Sequence, residues 1–358
     1  MPETIRAMAA MSGGVDSSVA ALLLTRAGYD AAGAMLKLFE NEDIGEDVVK
    51  SCCSLADRGD AERVAALLDI PFYVFNYAET FRARVMDAFA DAYFQGLTPN
   101  PCVACNEHLK FGALAERAAA MGYSHVATGH YARIERGGGR YLLKKGADAS
   151  KDQTYALYFM TQAQLSRTLF PLGALRKTEV RELARAHGLE NARKPDSQDI
   201  CFVPNGDYTD FLAQYTGKTA PPGDFTDARG NRLGTHRGIT HYTIGQRRGL
   251  GLSSPGRLYV TGFDRARNAV ILGEDADLFA AWLTVRELNL IAADRLDGAN
   301  RLEVKIRYSH AAQPATVRQT GERTAEITFD TPQRAVTPGQ YAVMYDGDVV
   351  VGGGVIGR

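Results

Sequence analysis

The chain has 358 residues, of which 45% are hydrophobic and 23% charged, with a formal net charge of −1. That balance excludes a disordered chain, and five cysteines are too few for a disulfide scaffold. No apolar run approaches the ~20 residues that span a bilayer, no signal-peptide pattern opens the chain, and the length suggests two or three domains. The expected compartment is therefore the cytoplasm, with no membrane partner. In a reducing compartment the five cysteines read as reactive, metal-binding or buried.

The first predicted element is a strand over Arg6–Met11, followed by the loop Ser12-Gly-Gly-Val-Asp-Ser-Ser18 and a helix over Ser17–Ala27. A glycine loop between a strand and a helix is a phosphate cradle. Glycine lets the backbone approach an anion, and the helix N-terminus favours negative charge. No GK[ST] follows the glycines and no GxGxxG is present, so this is neither a Walker A loop nor a dinucleotide fingerprint. Ser12, Ser17 and Ser18 offer hydroxyls, and Asp16 can orient the loop or hold Mg²⁺ beside phosphates. The ordinary alternative is a Ser/Gly turn that caps a helix.

Further strands are predicted at Asp30–Phe39, Pro71–Asn76 and His125–Thr128, and helices at Asp57–Leu68, Glu79–Gln95, Phe111–Met121 and Thr178–His187. Such alternation implies an α/β domain, a parallel sheet covered by helices on both faces, with ligands at the strands' carboxyl ends. Between these elements lie two proline-containing segments. Thr98-Pro-Asn-Pro-Cys-Val-Ala-Cys-Asn106 is expected to be a loop carrying Cys102 and Cys105. Lys194-Pro-Asp-Ser-Gln-Asp-Ile-Cys-Phe202 is expected to be a polar turn around Cys201. Adjacent Cys52 and Cys53 read as ordinary cysteines near a helix start, with sulfur relay as the alternative.

After about Asp210 the segments shorten and become rich in Gly, Pro, Thr and Val. Arg301–Tyr308, Thr324–Phe329 and Tyr341–Tyr345 alternate like half-buried strands, and Asp346-Gly347 is a hairpin signal. The expected organisation is a catalytic domain over 1–210, a small central domain over 211–275 and a β-barrel or sandwich over 276–358. Charge shifts with it: residues 1–210 carry a net −4 and 211–358 a net +3. No acidic residue lies between Asp227 and Asp264, an interval holding Arg229, Arg232, Arg237, Arg247, Arg248 and Arg257. A locally positive half can steer a polyanion, or can be a solvated face of an ordinary domain.

The loop SGGVDSS resembles the pyrophosphate loop of the PP-loop ATP pyrophosphatases, a Rossmann-like nucleotide hydrolase fold. Taken with NPCVACN, SQDICF, Ala127-Thr-Gly-His-Tyr-Ala-Arg133, Lys151-Asp-Gln153, Ile306-Arg-Tyr308 and Pro338-Gly-Gln340, the whole chain resembles the tRNA-specific 2-thiouridylase family. The resemblance implies a PP-loop domain, a central domain and a C-terminal β-barrel. It also implies ATP-dependent sulfur transfer to carbon 2 of the wobble uridine in tRNA.

Residue by residue, it implies Cys201 as the persulfide carrier and Cys105 as the partner nucleophile, joined in a transient disulfide. Ala10, Met11, Ser12, Gly13, Gly14, Val15, Asp16, Ser17, Leu36 and Gly129 match ATP contacts. Asn100, Pro101 and Cys102 match the target-base loop. His130, Lys151, Asp152, Gln153, Arg307, Tyr308 and Gln340 match tRNA contacts. A sulfur-relay protein or a cysteine desulfurase is the implied persulfide donor.

Many family members carry Asp where this chain has Cys102. The thiol creates a CxxC pair that, with Cys201, offers three thiolates to an iron–sulfur cluster as a second route for the sulfur. Two other functions compete: a PP-loop ligase or amidotransferase that adenylates a small carboxylate, and a non-catalytic, cluster-binding RNA module.

Overall fold

The computed structural model describes residues 4–39, 55–196, 200–203, 206–253 and 256–357. Cys52 and Cys53 lie outside the described residues, as do Ser197, Gln198 and Asp199 of the SQDICF motif. The chain divides into two compact units. One comprises Met1–Val85, Pro101–Gly206 and Asp348–Val350; the other comprises Met86–Asn100, Asp207–Gly347 and Val351–Arg358.

The first unit is built on five parallel strands, β1 (Arg6–Ala10), β2 (Asp30–Lys37), β3 (Phe72–Asn76), β4 (His125–Ala127) and β7 (Thr168–Leu169), in the order β3-β2-β1-β4-β7. A hairpin of β5 (Ala132–Gly137) and β6 (Arg140–Lys145) falls between β4 and β7 in sequence. Strand β1 is central, and the chain turns to opposite sides of it through β2 and β4. The loop after β1 therefore opens at the switch point where open α/β sheets bind ligands. Helix α1 (Val15–Arg26) buries Val15, Ser17, Ser18, Val19, Ala20, Ala21, Leu22 and Leu24. Alanines at 7, 9, 20, 21, 31 and 184 in the same core keep helix and sheet close. Each larger side chain fully buried here contributes about 1.5–3 kcal/mol.

Two local expectations are corrected. The segment after Asn100 is helical, not an extended loop. Helix α3 (Pro101–Cys105) passes through π-helical turns at Asn106–Ala113 into α4 (Leu114–Ala120). Pro101 sits at the first helical position, where its missing N–H costs nothing and its fixed φ is already helical, so this proline starts a helix. The single helix expected over Glu79–Gln95 is instead Ala78–Phe81, π-helical Arg82–Met86 and Asp87–Phe94. The other expected helices of the parallel domain agree to within two residues: α1, α2 (Leu55–Leu67) and α5 (Lys177–Ala186); a short helix at Gln162–Leu165 was not expected.

The second unit holds a four-stranded sheet and a barrel. The sheet orders β10 (Tyr259–Asp264), β11 (Ala269–Gly273), β8 (Gly223–Thr226) and β9 (Arg232–His236). It packs on Ala220, Phe225, Ile239, Tyr242, Val260, Val270 and Leu272. Strands β12 (Phe279–Leu290), β13 (Asn300–Lys305), β14 (Gln313–Gly321), β15 (Thr324–Arg334), β16 (Tyr341–Asp346) and β17 (Val349–Ile356) close into a six-stranded barrel, because β12 pairs with both β15 and β17. Closure removes exposed sheet edges, and Leu283, Val304, Val317, Ile327, Ala342, Met344 and Ile356 fill the interior. Among the described residues, no helix is long and apolar enough to cross a membrane.

Candidate active site

The loop Ser12–Gly14 is shaped by its own side chains. The Ser17 hydroxyl donates to the Gly14 carbonyl at 2.9 Å and accepts from the Ser12 amide at 3.1 Å; the Ser18 hydroxyl donates to the same carbonyl at 3.0 Å. These two hydroxyls close the loop. Gly13 has φ +75°, and a Cβ there would stand 2.3 Å from the Asp57 carbonyl oxygen. No other residue type fits both constraints. Gly129, just past β4, is required for a different reason: its Cβ would lie 2.8 Å from the Asp16 carbonyl carbon and the Ser17 amide nitrogen. The ends of β1 and β4 thus meet at the start of α1. Ala10 ends β1, and Leu36 lies near the end of the neighbouring β2, so the expected ATP-contact residues sit on the ends of three adjacent strands and the loop between them.

Asp16 is held on several sides. Lys177 Nζ lies 2.7 Å from each of its carboxylate oxygens, and the Tyr131 hydroxyl donates to it at 2.9 Å. Lys177 is itself buried and also reaches Asp196 at 2.8 Å. Asp196 takes further ion pairs from Lys151 at 2.8 Å and Arg181 at 2.9 Å. Burial by itself raises the Asp196 pKa, but hydrogen bonds and charge from Lys151 and Lys177 outweigh it and hold the group at about 2. Burial, then the Asp16 charge, pushes the Tyr131 phenol up, so Tyr131 remains a donor.

The stretch 191–196 is fastened to the phosphate loop. Asn191 Nδ2 donates to the Gly13 carbonyl at 3.1 Å and to Ser18 Oγ at 2.8 Å. Lys194 Nζ reaches the same carbonyl at 3.3 Å and pairs with Asp57 and Asp60. Arg181 donates to the Ala192 and Lys194 carbonyls at 3.0 and 3.1 Å.

The cysteines differ in surroundings. Cys102 is exposed, while Cys105 and Cys201 are half-buried. Cys105 ends α3, and the next residue, buried Asn106, donates to the Ala156 carbonyl at 3.1 Å. Cys201 lies in a turn closed by Val203 N to Ile200 O at 3.0 Å, beside buried Phe202, whose ring meets Phe81 edge-on at 5.6 Å. Among the described residues, no three His, Cys, Asp or Glu side chains are gathered to hold a metal ion. Cys102, Cys105 and Cys201 are not gathered into such a group, and nothing in this geometry supports the iron–sulfur alternative.

The residues expected to touch tRNA fall into two groups. His130 is 7% exposed; its Nδ1 shares a 2.6 Å hydrogen bond with Thr128 Oγ1, and its ring packs on Phe111 and Phe170. Burial, with Lys110 adding to it, pushes its pKa well down, so the ring is a neutral, buried group beside Gly129. Asp152 turns its carboxylate to Thr154 at 2.9 Å and to the Gly146 amide at 3.3 Å, and Gln153 accepts from the Tyr131 amide at 3.0 Å. Both order the backbone around Tyr131. In the second unit, Tyr308 is 45% exposed just past β13, whereas Arg307 donates to the Arg334 carbonyl at 2.6 Å. Gln340 follows the turn at Thr337–Gly339, its carbonyl accepting from Ile356 N at 2.7 Å. Asn100 and buried Pro101 mark the boundary between the two units.

Sequence reasoning missed Tyr131, Lys177, Asn191, Lys194 and Asp196. Lys177 left one local signal. It is the first residue of α5, where a cation opposes the helix dipole and so implies anionic partners elsewhere.

Three family models match the chain: the tRNA methyl transferase HUP domain over residues 5–205, the tRNA methyl transferase PRC-barrel domain over 209–274 and the aminomethyltransferase beta-barrel domain over 281–356. Relatives named tRNA-specific 2-thiouridylase MnmA are similar along their full length. The protein of Clostridioides difficile is 49% identical over 98% of each chain, and that of Lachnoclostridium phytofermentans is 49% identical over 97% of this chain and 98% of its own. A relative named MnmA 2 from Caldanaerobacter subterraneus is 48% identical over 100% of this chain and 99% of its own.

Proposed function

Since the chain belongs to the tRNA-specific 2-thiouridylase family, we propose that it adenylates the C2 oxygen of the wobble uridine, position 34, and replaces that oxygen with sulfur from a Cys201 persulfide. The observation that carries this reading is the phosphate loop at the sheet's switch point, fastened through Asn191 and Lys194 to the stretch that leads to Cys201. Ala10–Ser17, Leu36 and Gly129 receive ATP. Asp16, paired with Lys177 and Tyr131 in this structure, is the loop's own carboxylate and would contribute one ligand to Mg²⁺, with the phosphates and water supplying the rest.

A uridine carbonyl oxygen leaves poorly; adenylation makes it the oxygen of AMP, with pyrophosphate released. The terminal persulfide sulfur attacks carbon 2 and AMP departs. Cys105 thiolate then attacks the inner sulfur, on Cys201. The sulfur–sulfur bond of the persulfide breaks toward the base, leaving thiouridine and a Cys105–Cys201 disulfide. An external thiol reduces that disulfide. Disulfide formation requires the two Cα atoms to approach within about 7 Å. A persulfide donor, either a relay protein or a desulfurase, reloads Cys201.

Asn100–Cys102 line the target base, and Lys151, Tyr308 and Gln340 contact tRNA, with exposed Tyr308 suited to stacking. The preferred tRNAs are those for Lys, Glu and Gln, whose anticodon loops present an unstacked wobble base at a cost of a few kcal/mol. We read 1–210 as the catalytic part, 211–275 as a basic central part and 276–358 as the barrel.

The test is one incubation of the protein with unmodified tRNA, Mg-ATP and a persulfide donor, read by nucleoside mass spectrometry. Thiouridine is expected with the wild type and absent with Cys105→Ala and Cys201→Ala. Undiminished product from either variant contradicts the assignment, and full ATP turnover on a small carboxylate by Cys105→Ala would favour a PP-loop ligase.

A further inference from the structure

The phosphate loop contains a peptide bond between two glycines, the kind whose plane rotates with least resistance. Turning the Gly13–Gly14 plane over changes ψ at Gly13 and φ at Gly14, and neither residue has a Cβ to oppose it. Its orientation still matters to a ligand: in a trans peptide the C=O and N–H point opposite ways, so one side of the plane offers a donor and the other an acceptor. We propose that Asn191 and Lys194 set this peptide, holding the Gly13 carbonyl on their own side and so presenting the Gly14 N–H to the pyrophosphate part of ATP. The inference rests on the reading of Ser12–Ser18 as the ATP loop and adds two positioning residues to it.

Both donors act on one atom. Asn191 Nδ2 donates to the Gly13 carbonyl at 3.1 Å and Lys194 Nζ at 3.3 Å, from 178 and 181 positions along the chain. Each is anchored elsewhere: Asn191 Nδ2 also donates to Ser18 Oγ at 2.8 Å, and Lys194 pairs with Asp57 and Asp60. The following carbonyl, of Gly14, is held locally, accepting from Ser17 Oγ, Ser18 Oγ and the Ser18 amide at 2.9, 3.0 and 3.2 Å. Helix α1 therefore fixes the second of two consecutive carbonyls with its own serines, and the fold must supply the donors for the first. Asn191 is 5% exposed, and its Oδ1 is buried with no hydrogen-bond partner among the described residues. An unpaired buried oxygen costs stability, so what this side chain contributes is its Nδ2.

In the flipped peptide the Gly13 oxygen would take the place of the Gly14 donor and repel a phosphate. Gly14 has φ −86°, and turning the plane over carries it to positive φ, which side chains with a Cβ rarely adopt. In the observed orientation a Cβ at Gly14 meets only Ser12 Oγ, at 3.5 Å. Alanine at position 14 thus fits the observed peptide and opposes the flipped one, which makes a test by rescue available.

The probe is magnesium pyrophosphate, titrated calorimetrically into the full chain beside ATP, with adenosine as the ligand that lacks the phosphates. Asn191→Ala removes no charge. It is expected to weaken pyrophosphate about five-fold, the factor for one lost hydrogen bond acting on the competent fraction, and to leave adenosine unchanged. In a Gly14→Ala background the same Asn191→Ala change is expected to cost less than about two-fold, because the flipped state is already closed. Should Asn191→Ala not fold, Lys194→Met removes the other donor to the same carbonyl and is put through the same cycle. Full pyrophosphate affinity in Asn191→Ala, an equal loss for adenosine, or a cost that Gly14→Ala leaves undiminished overturns the proposal. A wild-type chain that binds neither ATP nor pyrophosphate instead strikes the reading of the loop itself.

Discussion

The two cysteines proposed to exchange sulfur stand on unlike supports. Cys105 ends a helix begun by Pro101, continued by π-helical turns and tied by Asn106 to the Ala156 carbonyl. Cys201 stands in a short turn between a ring contact at Phe202 and the ion pairs of Asp196. A helix carries the first, and a turn closed by the main-chain bond from Val203 to Ile200 carries the second.

The comparison breaks most sharply if either thiol is dispensable. Cys105→Ser and Cys201→Ser are each expected to lower single-turnover thiolation by about 10³-fold or more, measured by nucleoside mass spectrometry. Both should retain ATP–pyrophosphate exchange, since neither side chain touches the phosphate loop in the proposed chemistry. Gly13→Ala tests the loop to which Asn191 and Lys194 are fastened. Positive φ and the 2.3 Å approach to Asp57 make a side chain cost about 2 kcal/mol or more, or roughly 30-fold in ATP affinity. Gly14→Ala, whose Cβ meets only Ser12 Oγ at 3.5 Å, should stay within about three-fold; calorimetric titration with ATP reads both variants.

Acid titration separates the supports in a different way. Asp196 is held at about 2, below its unfolded value. Its contribution is therefore complete above pH ~4 and is lost as pH falls through about 2; it amounts to about 1–2 kcal/mol. Asp196→Asn should lower the unfolding free energy by that amount at pH 7 and flatten the acid limb between pH 4 and 2. His130 acts at higher pH. Its folded pKa lies well below the ordinary value, so stability is fully present above pH ~6.5 and declines as pH falls and the unfolded chain takes up the proton. A denaturation series across pH 7 to 2 reads both, and equal slopes for wild type and Asp196→Asn below pH 4 would remove Asp196 from the argument.

Smaller effects sharpen the helical side. Pro101→Gly frees the first turn of the Cys105 helix, costing about 0.5–1 kcal/mol and a few-fold in thiolation rate while ATP affinity stays put. Cys102→Ala is expected to change the rate by less than about three-fold, because the side chain is exposed and no three-thiol site exists among the described residues. A loss of more than ten-fold would assign Cys102 an acid–base role.

Much of the site was legible as chemistry before it was legible as shape. The glycine loop, its strand and its helix follow from local sequence, because strand periodicity, a positive-φ glycine and a helix start are each set within a few residues. The NPCVACN reading failed at one physical point: proline was taken as a helix breaker, although at the first helical position it is a helix starter. Nothing in a Thr-Gly-His string reports that Phe111 and Phe170, distant in sequence, enclose the His130 ring.

The sequence alone determined the chemical inventory: a phosphate-binding loop, thiols on two separated segments and a more basic second half. Those are properties of residue types and short spacings. Tertiary structure alone decided that Gly13 offers its carbonyl to Asn191 and Lys194, that Lys177 is shared between Asp16 and Asp196, and that six late strands close on themselves. Each of these joins residues that lie far apart along the chain, and buried charge can be stable only where the fold brings its partner.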